Sequence, residues 1–423
     1  MVHLLSYSLP IFADMKWNPI IKSDYKPKNI AVKLTNKGEN YLAKSHPWIF
    51  SKTIEKLSKP AKTGDLAIVF HKKSNKMIGI GIYDADSPIR IKVIHSSSEK
   101  VTINESFFNK KIELAYQKRT SLLATNTNSY RLIFGENDEF PSLIADVYAK
   151  VLVVKLYSEI WIPYLEAILK LLQKRTDADT VVLRLSRNVE KSNKHQLEDG
   201  MVVYGILENN TVEFIEHGIH FSANVIEGHK TGYFLDHRDN RRRVGELSKG
   251  KKVLDVFSYA GGFSVHALAN GAKEVTSVDI SKQALDIAFL NGKLNPYTGK
   301  HKTIAGDAFQ ILEELITQNK RFDMVVIDPP SFAKKTSEVT LAKKKYRQLA
   351  KLGLQLTSKK GTLVLASCSS RVVADAFFEI NQQTLNTSGR NYKTVLKTYH
   401  DTDHPIGFPE GAYLKCGYYE FMD

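Results

Sequence analysis

The second half of the chain alternates short apolar runs with amphipathic segments, and this alternation restricts the fold more than any other feature. The runs VLDVF, EVTSVDI, FDMVVIDPP and TLVLASCS each precede a segment with helical periodicity. Strands that are apolar throughout belong in a parallel sheet covered by helices on both faces. We therefore predict an α/β, doubly wound, mostly parallel sheet over residues 226–423, with the terminal YLKCGYYEFMD as an antiparallel edge strand.

The first half of the chain has a different pattern of strand-like and helical segments. Residues 28–100 contain the β-rich runs DLAIVF, MIGIGIY and IRIKVI between turn residues, which predicts a small β-barrel. Residues 101–225 combine a helical stretch over 105–124 with further strand-like runs, which predicts a central α+β domain. Residues 1–27 lack periodicity and are predicted to form an N-terminal extension. Three domains suit a chain of 423 residues.

The charge distribution points to a polyanionic partner. The chain carries a net charge of +15, and residues 28–100 hold 14 Lys and Arg against 6 Asp and Glu. A second basic run, 334–360, has nine basic residues and one acid. Such clusters are expected where a protein binds nucleic acid. No apolar run approaches the ~20 residues of a membrane span, and two cysteines make no disulfide framework, so we predict a cytoplasmic protein with no membrane contact.

Acidic residues recur where the predicted strands end. In open α/β sheets, ligands bind outside the carboxyl ends of the strands. The four acids at these ends are Asp255, Asp279, Asp307 and Asp328. Each could simply cap the following helix, but four in succession favour an adenosine ligand.

The turn after the first strand helps to identify that ligand. Tyr259 and Gly261 belong to the glycine-containing turn FSYAGG, which lets the backbone approach a ligand closely. Asp279 is placed to accept hydrogen bonds from ribose hydroxyls, and Asp307 from an adenine amino group. Because the chain lacks a diphosphate-binding loop, S-adenosylmethionine fits better than NAD or ATP. We predict no metal site.

The sequence resembles the bacterial class I S-adenosylmethionine-dependent 23S rRNA cytosine-C5 methyltransferases of the RlmI type. The resemblance runs from about residue 30 to the end. It is carried by HPWIF (46–50), GENDEFPSLIAD (135–146), GHKTGYFLDHRDNR (228–241), LDVFSYAGGF (254–263), IDPPSF (327–332), SCS (367–369) and HPIGFPEGAYLK (404–415). It implies a PUA RNA-binding barrel, a central α+β domain and a Rossmann-like methyltransferase domain.

The resemblance also implies partners and further site residues. It places GHKTGYFLDHR beside the methionine end of the cofactor, with Lys230 and Arg238 as candidates for its carboxylate, although either could face RNA or solvent. The implied partner is 23S rRNA or an assembling large ribosomal subunit, and a homodimer is one possible assembly.

Cys368 is the candidate nucleophile, because carbon 5 of cytosine becomes reactive when a thiolate adds to carbon 6. Asp328 is expected to bind the cofactor, the cytosine amino group and, if protonated, N3, and Phe332 is expected to stack on the flipped base. Ser331, also expected to contact the base, stands where related cytosine methyltransferases often have a second cysteine. Cys416 is expected to be structural.

Two other functions remain open at this point. A methyltransferase of the same fold that modifies a guanine nitrogen would use the DPP motif and need no thiol. A non-catalytic RNA-binding assembly factor would retain the fold without binding the cofactor. Base analysis of the modified RNA separates the first alternative, and cofactor calorimetry the second.

Overall fold

The computed structural model describes Trp17 and residues 25–192 and 197–423. The predicted N-terminal extension, residues 1–27, lies almost entirely outside the described residues. The described strands are β1 (Asn29–Leu34), β2 (Trp48–Phe50), β3 (Ile54–Leu57), β4 (Leu66–Phe70), β5 (Met77–Tyr83), β6 (Ile89–His95), β7 (Ser129–Phe134), β8 (Leu143–Tyr148), β9 (Val151–Leu156), β10 (Thr180–Leu185), β11 (Met201–Tyr204), β12 (Thr211–Glu216), β13 (Ile219–Asn224), β14 (Lys252–Val256), β15 (Glu274–Asp279), β16 (Lys300–Ala305), β17 (Phe322–Ile327), β18 (Thr357–Ser367), β19 (Tyr392–Thr398) and β20 (Lys415–Phe421). The described α-helices are α1 (Asn36–Ala43), α2 (Glu105–Gln117), α3 (Thr120–Leu123), α4 (Leu165–Thr176), α5 (Arg187–Ser192), α6 (Arg238–Glu246), α7 (Gly262–Ala269), α8 (Lys282–Lys293), α9 (Ala308–Thr317), α10 (Val339–Leu356) and α11 (Ala374–Asn386).

The C-terminal sheet has seven strands in the order β16-β15-β14-β17-β18-β20-β19. The first five are parallel, which confirms the predicted doubly wound sheet. The strand order reverses between β14 and β17, so the crevice for a ligand opens at the carboxyl ends of these strands. We call the carboxyl ends of β14 to β18 the ligand edge.

The terminal strand is antiparallel, as predicted, but its predicted edge position is wrong. β20 lies between β18 and β19 and pairs with both. Six of its seven residues are buried, which requires cover on both sides of the strand. Cys416 packs in this strand within the core, consistent with a structural role.

Helices cover both faces of this sheet because successive strand residues point to opposite sides. Along β17, Val325 and Ile327 pack into the core formed with α9, α10 and α11. Met324 and Val326 pack into the core formed with α6 and α7. Among the helices that the structure describes, none is long and apolar enough to cross a lipid bilayer.

The N-terminal region contains the predicted barrel-like sheet, with six strands in the order β2-β6-β5-β4-β1-β3. The following five-stranded sheet has the order β11-β10-β9-β8-β7. Ile80, Ile82 and Ile94 of the first sheet belong to the same buried cluster as helix α2 and strands β7 to β10. The two sheets therefore share a core.

The helix predicted over 105–124 is interrupted. It forms α2 and the short α3, and Arg119 lies between them with its side chain fully buried. The Arg119 guanidinium donates to the Arg131 carbonyl oxygen and to both carboxylate oxygens of Asp138. These contacts draw the residue inward and account for the break.

The hairpin of β12 and β13 connects the central sheet to the C-terminal one. Phe214 and Phe221 share a buried cluster with Val153 of β9 and Val265 of α7. This cluster contains residues from both sides of the domain boundary that the sequence predicts between residues 225 and 226. The boundary itself stays a prediction.

A C-terminal segment, residues 400–414, links the first sheet to the ligand edge. The rings of Trp48 and Phe408 lie 5.1 Å apart between centroids. The backbone N–H of Gly407 donates to Asn137 Oδ1 at 2.7 Å. Three of the motifs that carried the resemblance, far apart in sequence, therefore meet at one place, and the segment continues from there into β20.

Candidate active site

Asp255 lies at the centre of the ligand edge and is fully buried. Its Oδ2 accepts hydrogen bonds from the backbone N–H of Ser264 at 3.0 Å and from the Ser264 hydroxyl at 2.6 Å. The Ser264 hydroxyl is also hydrogen-bonded to the Ser277 hydroxyl at 2.6 Å. The Ser277 hydroxyl is hydrogen-bonded in turn to His301 Nε2 at 2.8 Å. Burial, aided by the nearby Asp328 and Asp279, raises the pKa of Asp255 to about 7.

The turn after β14 needs its glycines for two reasons. Gly261 has φ +79°, and a Cβ there would lie 2.7 Å from the Ala288 Cβ of helix α8. A Cβ on Gly262 would lie 2.8 Å from the Tyr233 hydroxyl. Tyr259 also has positive φ, 47°, which is strained for a bulky residue. The turn is therefore held tightly between α8 and the segment that precedes α6.

The second acid, Asp279, closes β15 and binds the same turn. Its Oδ2 accepts from the Tyr259 backbone N–H and its Oδ1 from the Ser281 backbone N–H, both at 2.9 Å. The next residue, Ile280, is 77% exposed and offers apolar surface beside this carboxylate. The sequence interpretation did not select Ile280 as a site residue. An apolar side chain directly after a predicted strand end was the feature that could have identified it.

Asp307 follows β16 and is exposed. Its Oδ1 accepts from the backbone N–H groups of Phe309 and Gln310 at 3.0 and 3.2 Å, so it caps α9. The helix-cap alternative considered from the sequence is therefore present here. Its adenine role stays a prediction.

Three buried polar atoms around the turn lack a hydrogen-bond partner within the described part of the chain. They are Asp255 Oδ1, the Ser258 hydroxyl and the Tyr233 hydroxyl. Buried polar groups are nearly always paired, so three unpaired ones around one turn indicate that a polar ligand completes them. The ammonium and carboxylate of an amino acid supply the matching donors and acceptors, so the site fits the methionine end of S-adenosylmethionine.

The two predicted carboxylate ligands differ. Lys230 is exposed, and its carboxylate-binding role stays a prediction. Arg238 is fully buried and its guanidinium donates to Asp401 at 2.9 Å and Asp403 at 2.8 Å. A further bond at 3.1 Å goes to the Ser129 carbonyl oxygen. These contacts join α6 to the 400–414 segment, and the predicted cofactor role of Arg238 stays a prediction.

Cys368 follows β18 directly and is half-buried. Its Sγ lies 3.7 Å from the carbonyl oxygen of Pro329, which follows Asp328. The sequence prediction that Cys368 and the DPP motif meet at this edge therefore agrees with the geometry. Burial, together with the carboxylates of Asp328 and Asp236, raises the pKa of Cys368 to about 12.

His237 faces Asp328 from the start of α6. Its Nε2 lies 3.3 Å from Asp328 Oδ1, and its Nδ1 lies 3.2 Å from Asn240 Nδ2. Burial lowers the pKa of His237, but the carboxylates of Asp328 and Asp236 together outweigh burial and the pKa is raised. The sequence interpretation did not select His237, although the quoted motif GHKTGYFLDHRDNR contains it.

A second carboxylate lies near the thiol. Asp236 Oδ2 accepts from the Tyr413 hydroxyl at 2.8 Å. Burial raises the pKa of Asp236, but nearby groups, among them His237 and His404, outweigh burial and lower the pKa to about 2. Tyr413 is held in turn by His400, whose Nε2 accepts from its backbone N–H at 3.3 Å. Asp236 was also missed, because the residue that positions it lies 177 positions away.

Ser331 and Phe332 lie at the mouth of the same corner and are both half-buried. The Ser331 hydroxyl donates to the Ala333 carbonyl oxygen at 3.2 Å. The Phe332 ring lies 5.2 Å from that of Tyr346, and the Lys345 ammonium lies 5.0 Å from its centroid. Their predicted contacts with the base stay predictions.

A family model described as S-adenosylmethionine-dependent methyltransferase matches residues 131–395, and one described as PUA-like domain matches residues 32–96. A ribosomal RNA large subunit methyltransferase of Deinococcus radiodurans is 38% identical over 394 residues, which cover 92% of this chain and 96% of the relative. Ribosomal RNA large subunit methyltransferase I of an Enterobacter species is 33% identical over 392 residues, with 92% and 98% covered.

Solved structures share the fold. A structure described as a SAM-dependent methyltransferase from Streptococcus mutans aligns with a TM-score of 0.77 at 20% identity, covering 92% of this chain and 99% of its own. A methyltransferase structure complexed with SAH gives the same TM-score and identity, with 93% and 100% covered.

These findings confirm the predicted fold and the predicted cofactor, S-adenosylmethionine. The chain belongs to the family of S-adenosylmethionine-dependent methyltransferases with a PUA-like domain that includes the ribosomal RNA large subunit methyltransferase I proteins.

Proposed function

We propose that this protein methylates carbon 5 of a cytosine in 23S rRNA, through a covalent bond between Cys368 Sγ and cytosine carbon 6. The observation that carries the proposal is the half-buried thiol at the end of β18, 3.7 Å from the backbone of the DPP motif. The relatives' names supply the RNA, since they are ribosomal RNA large subunit methyltransferases. Methylation of a guanine nitrogen would leave this thiol without a task.

The reaction begins when the Cys368 thiolate adds to carbon 6 and breaks the aromaticity of the ring. Electron density then concentrates at carbon 5, which becomes nucleophilic. The bound cofactor supplies a methyl group on a positively charged sulfur. Carbon 5 takes that methyl group, and the sulfur keeps the electron pair of the broken bond. Water takes the carbon-5 proton, and the electron pair of that C–H bond restores the ring and expels the thiolate. Because carbon 5 and carbon 6 are stacked inside a duplex, the cytosine has to be unpaired or flipped into the corner beside Phe332.

Asp328 orients the base in this proposal. It follows β17 at the ligand edge, and the two prolines after it fix the chain there. Its carboxylate accepts the hydrogen bond of the cytosine amino group, and His237, with Nε2 3.3 Å from Asp328 Oδ1, helps to orient it. This hydrogen bond fixes the position of the ring, so that carbon 6 faces the attacking thiolate.

In this proposal the cofactor binds at the other half of the ligand edge, formed by the ends of β14, β15 and β16. The unpaired Asp255 Oδ1 accepts from the ammonium group of the methionine moiety. Asp279 is placed to accept from ribose hydroxyls, with Ile280 as apolar surface for the adenine ring. Lys230, exposed at the entrance, stays a candidate for the carboxylate.

The test traps the covalent adduct. RNA that carries 5-fluorocytosine at the target cannot lose its carbon-5 substituent, so the wild-type protein and S-adenosylmethionine should give a protein–RNA adduct that survives denaturation. Cys368→Ser should fold, bind the cofactor and give no adduct, whereas Cys416→Ser should retain it because that thiol is buried in the core. An adduct at another residue, or full methylation by Cys368→Ser, would overturn the proposal. Methylguanine in the product would indicate the alternative enzyme.

A further inference from the structure

Lys415 has an unusual environment for a lysine. It begins β20 directly opposite Ser367, the last residue of β18, and only 1% of it is exposed. Its Nζ donates to the carbonyl oxygen of Ser369, the residue after Cys368, and to that of Tyr413 at 3.0 Å. The side chain therefore ends at the carbonyl group of the residue next to Cys368.

The ammonium group of Lys415 has no carboxylate partner within the described residues. Its two acceptors are neutral carbonyl groups. A second buried lysine in this protein, Lys92, is 4% exposed and pairs with Asp84. Burying a charge without a counter-ion is costly, and such sites tend to be functional. Burial accordingly lowers the pKa of Lys415 to about 8, with the Cys368 sulfur as the group that opposes the shift.

We propose that Lys415 takes the proton of the Cys368 thiol and then holds the thiolate as its ion-pair partner. The step converts a thiol and a neutral amine into a thiolate and an ammonium; one S–H bond breaks, one N–H bond forms, and the net charge is unchanged. When the thiolate leaves cytosine carbon 6, the ammonium stabilises it again. The inference rests on the proposed function, in which Cys368 is the nucleophile.

The other charged groups around Cys368 make such a partner necessary. Asp328, after β17, and Asp236, before α6, both oppose the thiolate. The ring hydroxyls on this side, Tyr346 of α10 and Tyr413 of the C-terminal segment, have raised pKa values, and burial lowers the pKa of His400 to about 4. His237 faces Asp328. Lys415 is the cation left to favour the thiolate among the described groups.

The experiment measures thiolate formation without RNA. Alkylation of Cys368 by iodoacetamide is followed between pH 6 and 10 in the full-length protein, with the site identified by peptide mass spectrometry. The wild-type rate should rise with pH across this range. Lys415→Met preserves length but removes the charge, so its rate at pH 8 should be at least about tenfold lower than that of wild type. Lys393→Met, on the exposed face of the neighbouring strand β19, is the matched control and should follow the wild type.

An unchanged pH profile in a Lys415→Met protein that still binds S-adenosylmethionine would overturn the inference. Should that variant fail to fold, Lys415→Gln, which can still hydrogen-bond the carbonyl groups but carries no charge, takes its place under the same criterion. The adduct experiment is separate. An adduct that forms equally in Lys415→Met removes only this inference, whereas a responsive thiolate without any RNA adduct removes the cytosine chemistry and leaves the ion pair standing.

Discussion

The two halves of the ligand edge are built differently. On the side of β14 to β16, the carboxylates bind backbone N–H groups close in sequence; Asp279 binds Ser281, and Asp307 binds Phe309 and Gln310. On the side of β17, β18 and β20, the charged groups meet across long stretches of chain. Asp236 binds Tyr413, 177 positions away, and Lys415 binds the carbonyl of Ser369, 46 positions away.

This difference matches what each half has to do. Local hydrogen bonds hold the cofactor half in shape before anything binds, which favours affinity. The other half gathers unlike charges in a buried corner, where the environment shifts pKa values and so controls reactivity. We therefore expect substitutions in the first half to change cofactor affinity and substitutions in the second to change the rate of methyl transfer.

The largest expected effect is on the second side. Asp328→Asn removes the charge that faces His237 and, in our proposal, the base, but keeps the shape of the side chain. Methyl transfer at saturating cofactor should fall by roughly 10²- to 10⁴-fold, the usual contribution of such a polar group to a transition state. Single-turnover kinetics with RNA gives the rate and calorimetry gives cofactor affinity, which should stay within about threefold of wild type because Asp328 faces the base. A loss of cofactor affinity with an unchanged rate of methyl transfer would contradict the proposed division of roles between the two halves.

The converse substitution is Asp279→Ala. It removes a carboxylate that binds the Tyr259 and Ser281 N–H groups and, in our proposal, the cofactor ribose. A hydrogen bond to a charged group contributes about 1.5–3 kcal/mol, so the dissociation constant for S-adenosylmethionine should rise roughly 10- to 150-fold. Transfer by the saturated enzyme should be nearly normal. Lys415→Met serves as the control from the other half, and its cofactor affinity should match that of wild type.

The sequence predicted the two halves unequally for the same reason. The strand ends, the glycine turn and the positions of Asp255 and Asp279 follow from local periodicity, and the structure agrees. Even in that half, the burial of a side chain could not be predicted. Whether Asp307 caps a helix, and whether Arg238 reaches a ligand, depends on which residues pack around each of them. Arg238 proved to be fully buried among carboxylates.

The second half needed tertiary information. Lys415, Asp236 and His237 stood in motifs that the resemblance had marked, yet nothing local shows that Lys415 lies beside Cys368. That contact depends on β20 entering the sheet next to β18, whereas the sequence interpretation had placed it at the edge. Strand order is a long-range property that period and composition do not encode.

A pH-dependent effect of intermediate size should appear in the cofactor half. The pKa of Asp255 is raised from 3.8 to about 7 by burial, so between these values the folded protein holds a proton that the unfolded chain has lost. This group's contribution to the free energy of unfolding should therefore fall by about 1.4 kcal/mol per pH unit up to pH 7. In our proposal the cofactor's ammonium group binds the ionised carboxylate, so affinity should rise up to about tenfold per unit over the same window and then level off. Asp255→Asn should abolish both trends in calorimetry and thermal unfolding; a wild-type affinity that falls with pH contradicts the role.

The smallest effects are expected from the first sheet, which should supply RNA affinity and leave both halves of the ligand edge unchanged. Deleting residues 1–100 is a poor test, because Ile80, Ile82 and Ile94 belong to the shared core.

Replacing the exposed lysines of this sheet avoids that problem. In a variant with Lys44, Lys52, Lys73 and Lys76 changed to Gln, each lost phosphate contact should lower the slope of log affinity against log salt by about 0.7–0.9. The matched control changes Lys249 and Lys252, exposed at the opposite end of β14 from the ligand edge. Cofactor affinity, the Cys368 alkylation profile and the rate with saturating RNA should be those of wild type in both proteins. An unchanged salt slope in the first variant would assign RNA affinity elsewhere, with the basic stretch 334–360 as the next surface to neutralise, since it adjoins Phe332 and the thiol side of the edge.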